Sequence, residues 1–487
     1  MKQKNAAVVR HLLGGFSLIL VTVGAVDSIR NLPTAALFGS SLVFFFLFGA
    51  ILFLFPSALV AAELVSTWPE CGGVYVWVKE AFGKKTGFLA IWFQWVENVI
   101  WFPTVLSFVA GSIGYMIAPN LASNRFFLVS IIIASFWLVT IVNLRGVNSS
   151  VRLGNFCTIF GLLIPVALII LLGIKWVLSG RAINIDLTDI RDLEINIRNP
   201  HIWIALTGIM LSFCGLEITT VHALDVKKPH KSYPKALLLS ALILLVTLIL
   251  GALAIAIVIP GTQINLISGV MQTFDAFFSF YGMHWIMPLI AFSLVLGGIG
   301  GVSSWILAPT RGLLTAARDG HLPPHCCKEN RHGAPSYILL YQAIIVTCVV
   351  MIFWLMPSVG GSYWFLTVLA AQLYMLMYIF MFIAAIYLRY KHPKLKRPFC
   401  IPGGKIGIWV VAGFGIIAAS LTFIIGFIPP HNINTGGVWH YEIMLVSCLL
   451  LASLPPLLSR KALAKSLVED EKVVKVKVRK RRKNYES

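Results

Sequence analysis

The sequence predicts an all-α polytopic membrane protein, and three observations carry that prediction. Of 487 residues, 58% are hydrophobic and only 12% are charged, whereas a soluble domain is about 25% charged and about 45–50% apolar. Apolar runs of bilayer length, about 20 residues each, recur twelve times. Once those runs are drawn, the basic residues sort strongly to one side. The formal net charge of +20 would otherwise suggest nucleic acid as a partner. That reading needs a basic soluble face, which the chain lacks outside one tail, so no nucleic acid is expected. The composition also excludes a soluble enzyme, a disordered chain and a disulfide scaffold.

The spans lie near 12–38, 41–65, 86–118, 126–144, 153–178, 201–224, 236–259, 284–308, 337–357, 363–388, 407–428 and 438–458. Residues 1–11 are a short polar start without a small-residue cleavage site, so span 1 reads as a retained helix and not a signal peptide. With the N-terminus in the cytoplasm, 33 of 39 Lys and Arg fall inside and 5 outside, and the one remaining, Arg30, lies inside the first span. Cytoplasmic loops carry such an excess. One missed span would scramble the sorting, so count and orientation support each other, and both termini are expected in the cytoplasm. The outer loop 179–200 holds Asp186, Asp189, Asp192 and Glu194 and reads as a solvated cap. The segment 260–280 reads as a short interfacial helix. The tail, 459–487, carries eleven basic and four acidic residues and reads as a disordered strip held against anionic lipid.

The eight cysteines form no framework. Cys157, Cys214, Cys348 and Cys448 lie in apolar runs, where a thiol is a small core residue. Cys326 and Cys327 lie near His321, His325 and His332. Adjacent cysteines do not match zinc-ligand spacing, so a solvated loop is expected there, with no metal and no cofactor.

Ionisable groups and broken helices are costly in a bilayer and mark function. Span 1 carries Asp27, Arg30, Asn31 and Pro33 within two turns. Asp27 and Arg30 stand three residues apart and can pair on one helix face. Pro33 removes a backbone donor and Gly24 is a weak helix former, so a break near Gly24, lining a wet cavity, is expected. The competing reading is a Pro-kinked helix braced by an ion pair. Span 6 reads Ser212-Phe213-Cys214-Gly215-Leu216-Glu217, with a lone carboxyl beside a glycine. Glu217 and Asp27 are the proton-coupling candidates, and a structural carboxyl is the alternative for Glu217. Glu63, near the end of span 2, reads as a helix brace, whereas Glu97 in span 3 divides evenly between structure and function. The run Gly297 to Ser304 in span 8 reads as tight packing or as a cavity wall offering Ser303 or Ser304. The breaks in spans 1 and 6 are five spans apart. Interrupted helices in corresponding positions point to an inverted-repeat transporter with its site at the midplane. Spans 1–5 (about 12–178) and 6–10 (about 201–388) would be the repeats, with spans 11 and 12 (about 407–458) added.

At these residues the chain resembles the amino acid–polyamine–organocation superfamily. The resemblance is carried by Ala61-Ala62-Glu63-Leu64, by Pro69-Glu70-Cys71-Gly72-Gly73-Val74-Tyr75-Val76-Trp77, by Phe213 to Glu217 with Asp225-Val226-Lys227-Lys228-Pro229, and by Pro309-Thr310-Arg311-Gly312 with Asp319-Gly320-His321-Leu322-Pro323. Within the superfamily it is nearest to the glutamate/γ-aminobutyrate antiporters, through Val258-Ile259-Pro260-Gly261, Gly269 to Phe274 and Ile401 to Lys405. It covers about residues 10–458. The resemblance implies a leucine-transporter-type fold and sodium-independent exchange by alternating access. By position, Val23, Gly24, Ala25 and Val26 in helix 1 and Ser212, Phe213, Cys214 and Gly215 in helix 6 would hold the substrate's backbone atoms. Glu217, Trp305 and Tyr378 would line the cavity. Arg30 stands where the subgroup often has a tyrosine, the helix 8 acid falls at Gly301, and helix 1 lacks the Gly-x-Gly pair. An added cation and a missing acid favour a more anionic substrate, unless Asp27 neutralises Arg30.

The expected function is therefore amino acid antiport across the inner (plasma) membrane, similar to glutamate/γ-aminobutyrate exchange. The alternative is a proton-coupled amino acid permease. A receptor or channel would need a large soluble or pore domain, which no stretch outside the spans supplies. An embedded enzyme would need converging His/Asp or Ser/His sets, and His201, His222 and His284 lie near span ends. Substrate identity and oligomeric state are not legible.

Overall fold

Every described element is helical. The computed structural model describes residues 14–70, 72–145, 154, 156–185, 203–226, 229–430 and 433–456, and no strand occurs among them. The terminal segment 1–11, most of the expected outer cap and the basic tail lie outside these residues.

Eleven described helices are long and apolar enough to cross a membrane. They are Gly15–Ala36 (span 1), Gly39–Thr67 (2), Lys84–Ile117 (3), Arg125–Leu144 (4), Phe156–Leu178 (5), Lys231–Val258 (7), His284–Arg318 (8), Ser336–Leu355 (9), Val359–Lys391 (10), Gly404–Ile425 (11) and Val438–Pro456 (12). The expected twelfth, segment 6, is the shorter apolar stretch Ala205–Thr220. It departs from a full-length helix because Phe213–Gly215 interrupt it. Span 8 runs ten residues, nearly three turns of helix, beyond its expected end at 308, carrying Pro309 within the helix. The expected interfacial segment contains the helix Gly269–Tyr281, which buries Val270, Met271, Phe274, Phe277 and Phe278 on one side.

Spans 3 and 10 form the centre of the bundle. In them 72% and 78% of the most apolar window is buried, against 17% in span 12, so span 12 lies at the periphery with its apolar side chains outward. Two proline-linked π turns shape the bundle. Ala50–Leu54 precedes Pro56 in span 2 and Ile159–Leu163 precedes Pro165 in span 5. A proline cannot donate to the carbonyl four residues back, and a π turn absorbs the mismatch. In span 5 that turn brings Gly161 against the backbone of Gly297 in span 8, where a side chain on either would collide with the other. Gly298 and Gly300 similarly face Val109 and Cys157. The glycine run of span 8 is thus both tight packing and, through Gly297, Gly298 and Gly301, a cavity wall. Its serines turn to other work: Ser303 Oγ accepts from Asn143 Nδ2 (3.1 Å), and Ser304 donates to the Gly300 carbonyl (3.1 Å).

Glu63 is a brace, as expected. Its carboxylate takes Arg389 Nε at 2.8 Å and Nη2 at 2.5 Å, with Arg397 Nε at 3.4 Å and the Ile401 amide at 2.8 Å. This ties the end of span 2 to the end of span 10 and the loop before span 11.

Candidate substrate site

Span 1 is discontinuous, but not at Gly24. The helix continues through Val26, Asp27 and Ser28 are extended, a 3₁₀ turn covers Ile29–Asn31, and the helix resumes at Leu32–Ala36. Pro33 sits in the first turn of the resumed helix, where its missing N–H costs nothing. Upstream of it the i→i−4 ladder cannot be completed, so the chain restarts rather than kinks. The amides of Ser28, Ile29 and Arg30 follow the break, and the Asn31 amide bonds back to the Ser28 carbonyl (3.0 Å). Amides at such a helix start favour an anion.

Segment 6 breaks as expected. Helix Ala205–Ser212 ends, Gly215 adopts φ +107°, and a 3₁₀ stretch Leu216–Asp225 follows. Any side chain at Gly215 would be strained by that φ and would also strike the Trp305 ring at 2.6 Å. The two breaks face each other: Thr22 Oγ1 and Thr219 Oγ1 stand 3.4 Å apart. Trp305 bridges to span 1 by donating Nε1–H to the Ala25 carbonyl at 2.6 Å.

Two voids meet at Arg30. One is bounded by Gly24, Ala25, Asp27, Trp101, Thr158 and the glycines of span 8. The other is bounded by Ala25, Val26, Glu97, Cys214, Trp305 and Tyr374. Arg30 and Trp101 line both. Arg30 is only 2% exposed. Its Nη1 donates to Tyr363 Oη (3.0 Å), and its guanidinium carbon lies 5.1 Å from the Trp101 ring centre.

The expected Asp27–Arg30 pair does not form. The break turns Asp27 toward span 7, where Thr247 Oγ1 donates to its carboxylate at 2.9 Å. Arg30 follows the break and points toward span 10. The i,i+3 geometry that would pair them requires continuous helix, which the extended Asp27 and Ser28 remove.

Glu217 is a fully engaged node. Tyr374 Oη donates to it at 2.7 Å, Tyr378 Oη at 2.5 Å and Gln94 Nε2 at 2.9 Å. Tyr378 Oη also accepts the Gly215 amide at 2.8 Å. The carboxylate thereby ties segment 6 to spans 3 and 10, and it borders a smaller void with Gln94, Gly72 and Gly312 instead of the two voids at Arg30. Among the other expected residues, Gly24, Ala25, Val26, Cys214 and Trp305 border the two main voids. Val23, Ser212, Phe213, Gly215 and Tyr378 stand behind that surface: Ser212 Oγ donates to the Gly208 carbonyl, and Phe213 packs edge-on to Phe46 at 5.7 Å. Trp101, Tyr374 and Tyr363 escaped the sequence reading. Aromatic residues are common in these spans, and only Tyr374, one turn before Tyr378, was within reach of the motif.

The amino acid permease family model matches residues 13–449. The chain belongs to that family. An uncharacterized transporter of Legionella pneumophila is 42% identical over 464 residues, covering 95% of this chain and 99% of the relative. A glutamate/gamma-aminobutyrate antiporter of Lactococcus lactis is 30% identical over 452 residues, covering 90% and 88%. A probable agmatine/putrescine antiporter of the same species is 26% identical over 415 residues, covering 84% and 86%. The permease is therefore a multi-pass transporter and not an enzyme, and its resemblance to the superfamily and to the glutamate/γ-aminobutyrate antiporters is borne out.

Proposed function

We propose that this permease exchanges amino acids across the inner membrane by alternating access. The observation that carries the proposal is the meeting of two interrupted helices, five spans apart, at one buried aromatic-walled cavity. The Ile29 and Arg30 amides after the break suit a substrate carboxylate, and the Gly24, Val26 and Cys214 region of the facing breaks suits its ammonium. The same spacing supports spans 1–5 and 6–10 as inverted repeats with two added spans. Orientation with both termini in the cytoplasm rests on the 33-to-5 charge bias, and the basic tail is read as a contact for anionic lipid. Glutamate/γ-aminobutyrate-like exchange is the nearest chemistry among the relatives.

The test is uptake of labelled amino acid by proteoliposomes. Uptake should require a counter-substrate inside. Equal uptake by empty vesicles under an imposed pH gradient would instead establish the second reading, a proton-coupled permease. Asp27, a buried carboxyl on the cavity wall with a threonine as its side-chain donor, is the observation that favours that reading.

A further inference from the structure

Arg30 presents two different edges. Its Nη1 is taken by Tyr363, whereas Nε and Nη2 are buried and have no hydrogen-bond partner among the described residues. Those two nitrogens lie on the same side of the planar guanidinium. Together they form the parallel N–H fork that takes a carboxylate through both oxygens. The same chain displays the filled version: Arg389 grips Glu63 through Nε and Nη2 at 2.8 and 2.5 Å. A buried guanidinium without an ion-paired carboxylate is costly: Glu97 acts on it through space only, and neither a tyrosine hydroxyl nor an indole face neutralises it. Asp27 is held by Thr247. Glu97 borders the same void but forms no ion pair with Arg30 among the described residues, and its Oε2 accepts from Asn98 at 3.0 Å.

We infer that the Nε/Nη2 edge of Arg30 is a specificity site for a second carboxylate, so that the transported amino acid carries an acidic side chain. The inference rests on the amino acid transport reading and deepens it. The amides after the break in span 1 serve the α-carboxylate, and Arg30, within the same turn but on the cavity wall, serves the side-chain carboxylate. The Trp101 ring lies against the guanidinium, its centre 5.1 Å from the guanidinium carbon. Diamines and cationic amino acids would set like charge against Arg30, so polyamine substrates are excluded even though polyamine carriers are among the relatives.

The test is equilibrium binding to the full-length protein in detergent, comparing L-glutamate with its isosteric amide L-glutamine, and with putrescine. Glutamate should bind about tenfold or more tightly than glutamine, as expected for charged hydrogen bonds, and putrescine should not compete. Arg30→Ala should erase the acid-over-amide preference, weakening glutamate by about tenfold or more relative to glutamine. Arg30→Lys, which keeps the charge and loses the fork, should recover only part of the preference. Equal affinity for glutamate and glutamine in the unaltered protein, absence of glutamate binding, or equal loss of both in Arg30→Ala would each overturn the inference. Binding is read without transport, so failure of counter-substrate dependence in vesicles overturns antiport and leaves this selectivity standing.

Discussion

Glu217 and Asp27 are both buried carboxyl groups beside a helix break, and their neighbours assign them different work. Three donors converge on Glu217 from two spans. A carboxylate accepts all of them, whereas an amide would turn an N–H₂ group toward a hydroxyl donor and leave it unpaired. Glu217→Gln should therefore lower stability by roughly 1–3 kcal/mol, the cost of an unsatisfied buried group, and leave the pH profile of exchange intact. Asp27 has Thr247 as its side-chain donor and reaches the cavity wall, so it can take up a proton without dismantling a network. Asp27→Asn should flatten the pH profile. Thermal melts and exchange measured from acidic to neutral pH check both, and the opposite pattern would exchange the two assignments.

Between elements, the contact most open to experiment joins the short helix Val74–Phe82 to the end of span 8. Asp319 accepts from Tyr75 Oη at 2.5 Å, with Lys79 at 3.4 Å and Lys84 at 3.2 Å. Burial alone would raise the Asp319 carboxyl. The Tyr75 hydroxyl, then Lys84 and Lys79, outweigh it and hold the group below the usual carboxylate range. A depressed carboxylate contributes stability that is present above its unfolded pKa, about 3.9, and is lost only as pH falls through the lower folded value. The contact therefore persists at neutral and mildly acidic pH and cannot itself be an acid switch. Partly exposed pairs of this kind are worth about 1 kcal/mol or less, so Asp319→Asn should barely change the melting temperature. It should nevertheless free span 8 from the Val74–Phe82 helix. With Cys214 as the sole cysteine, its labelling by a small thiol reagent should accelerate in Asp319→Asn. An unchanged rate would show that the contact does not latch access to the cavity.

At the scale of the whole molecule, orientation is the property that charge alone carries. Epitope tags at both ends should be reached from the cytoplasmic face only, and a tag exposed on the opposite face would mean that one span is miscounted. Apart from the far end of span 8, which runs on to Arg318, the span boundaries were legible to within a few residues because a bilayer-length apolar run has no other way to satisfy its backbone than by helix. The break in segment 6 was legible because Gly215 needs a positive φ. The break in span 1 was legible in kind and displaced by about one turn, because Pro33, and not Gly24, governs where the ladder stops. Glu63 could be read as a brace from its position near a span end, but its partner, 326 residues away, could not. By itself, then, the sequence determined the membrane architecture, the two interruptions and the family, since these follow from hydropathy, backbone donors and local motifs. Only the tertiary structure decided that Asp27 and Arg30 part company, that three donors occupy Glu217, and that one guanidinium edge of Arg30 is left without a hydrogen-bond partner among the described residues. Those outcomes depend on which side chains of distant spans meet at each break, and no local pattern encodes that meeting.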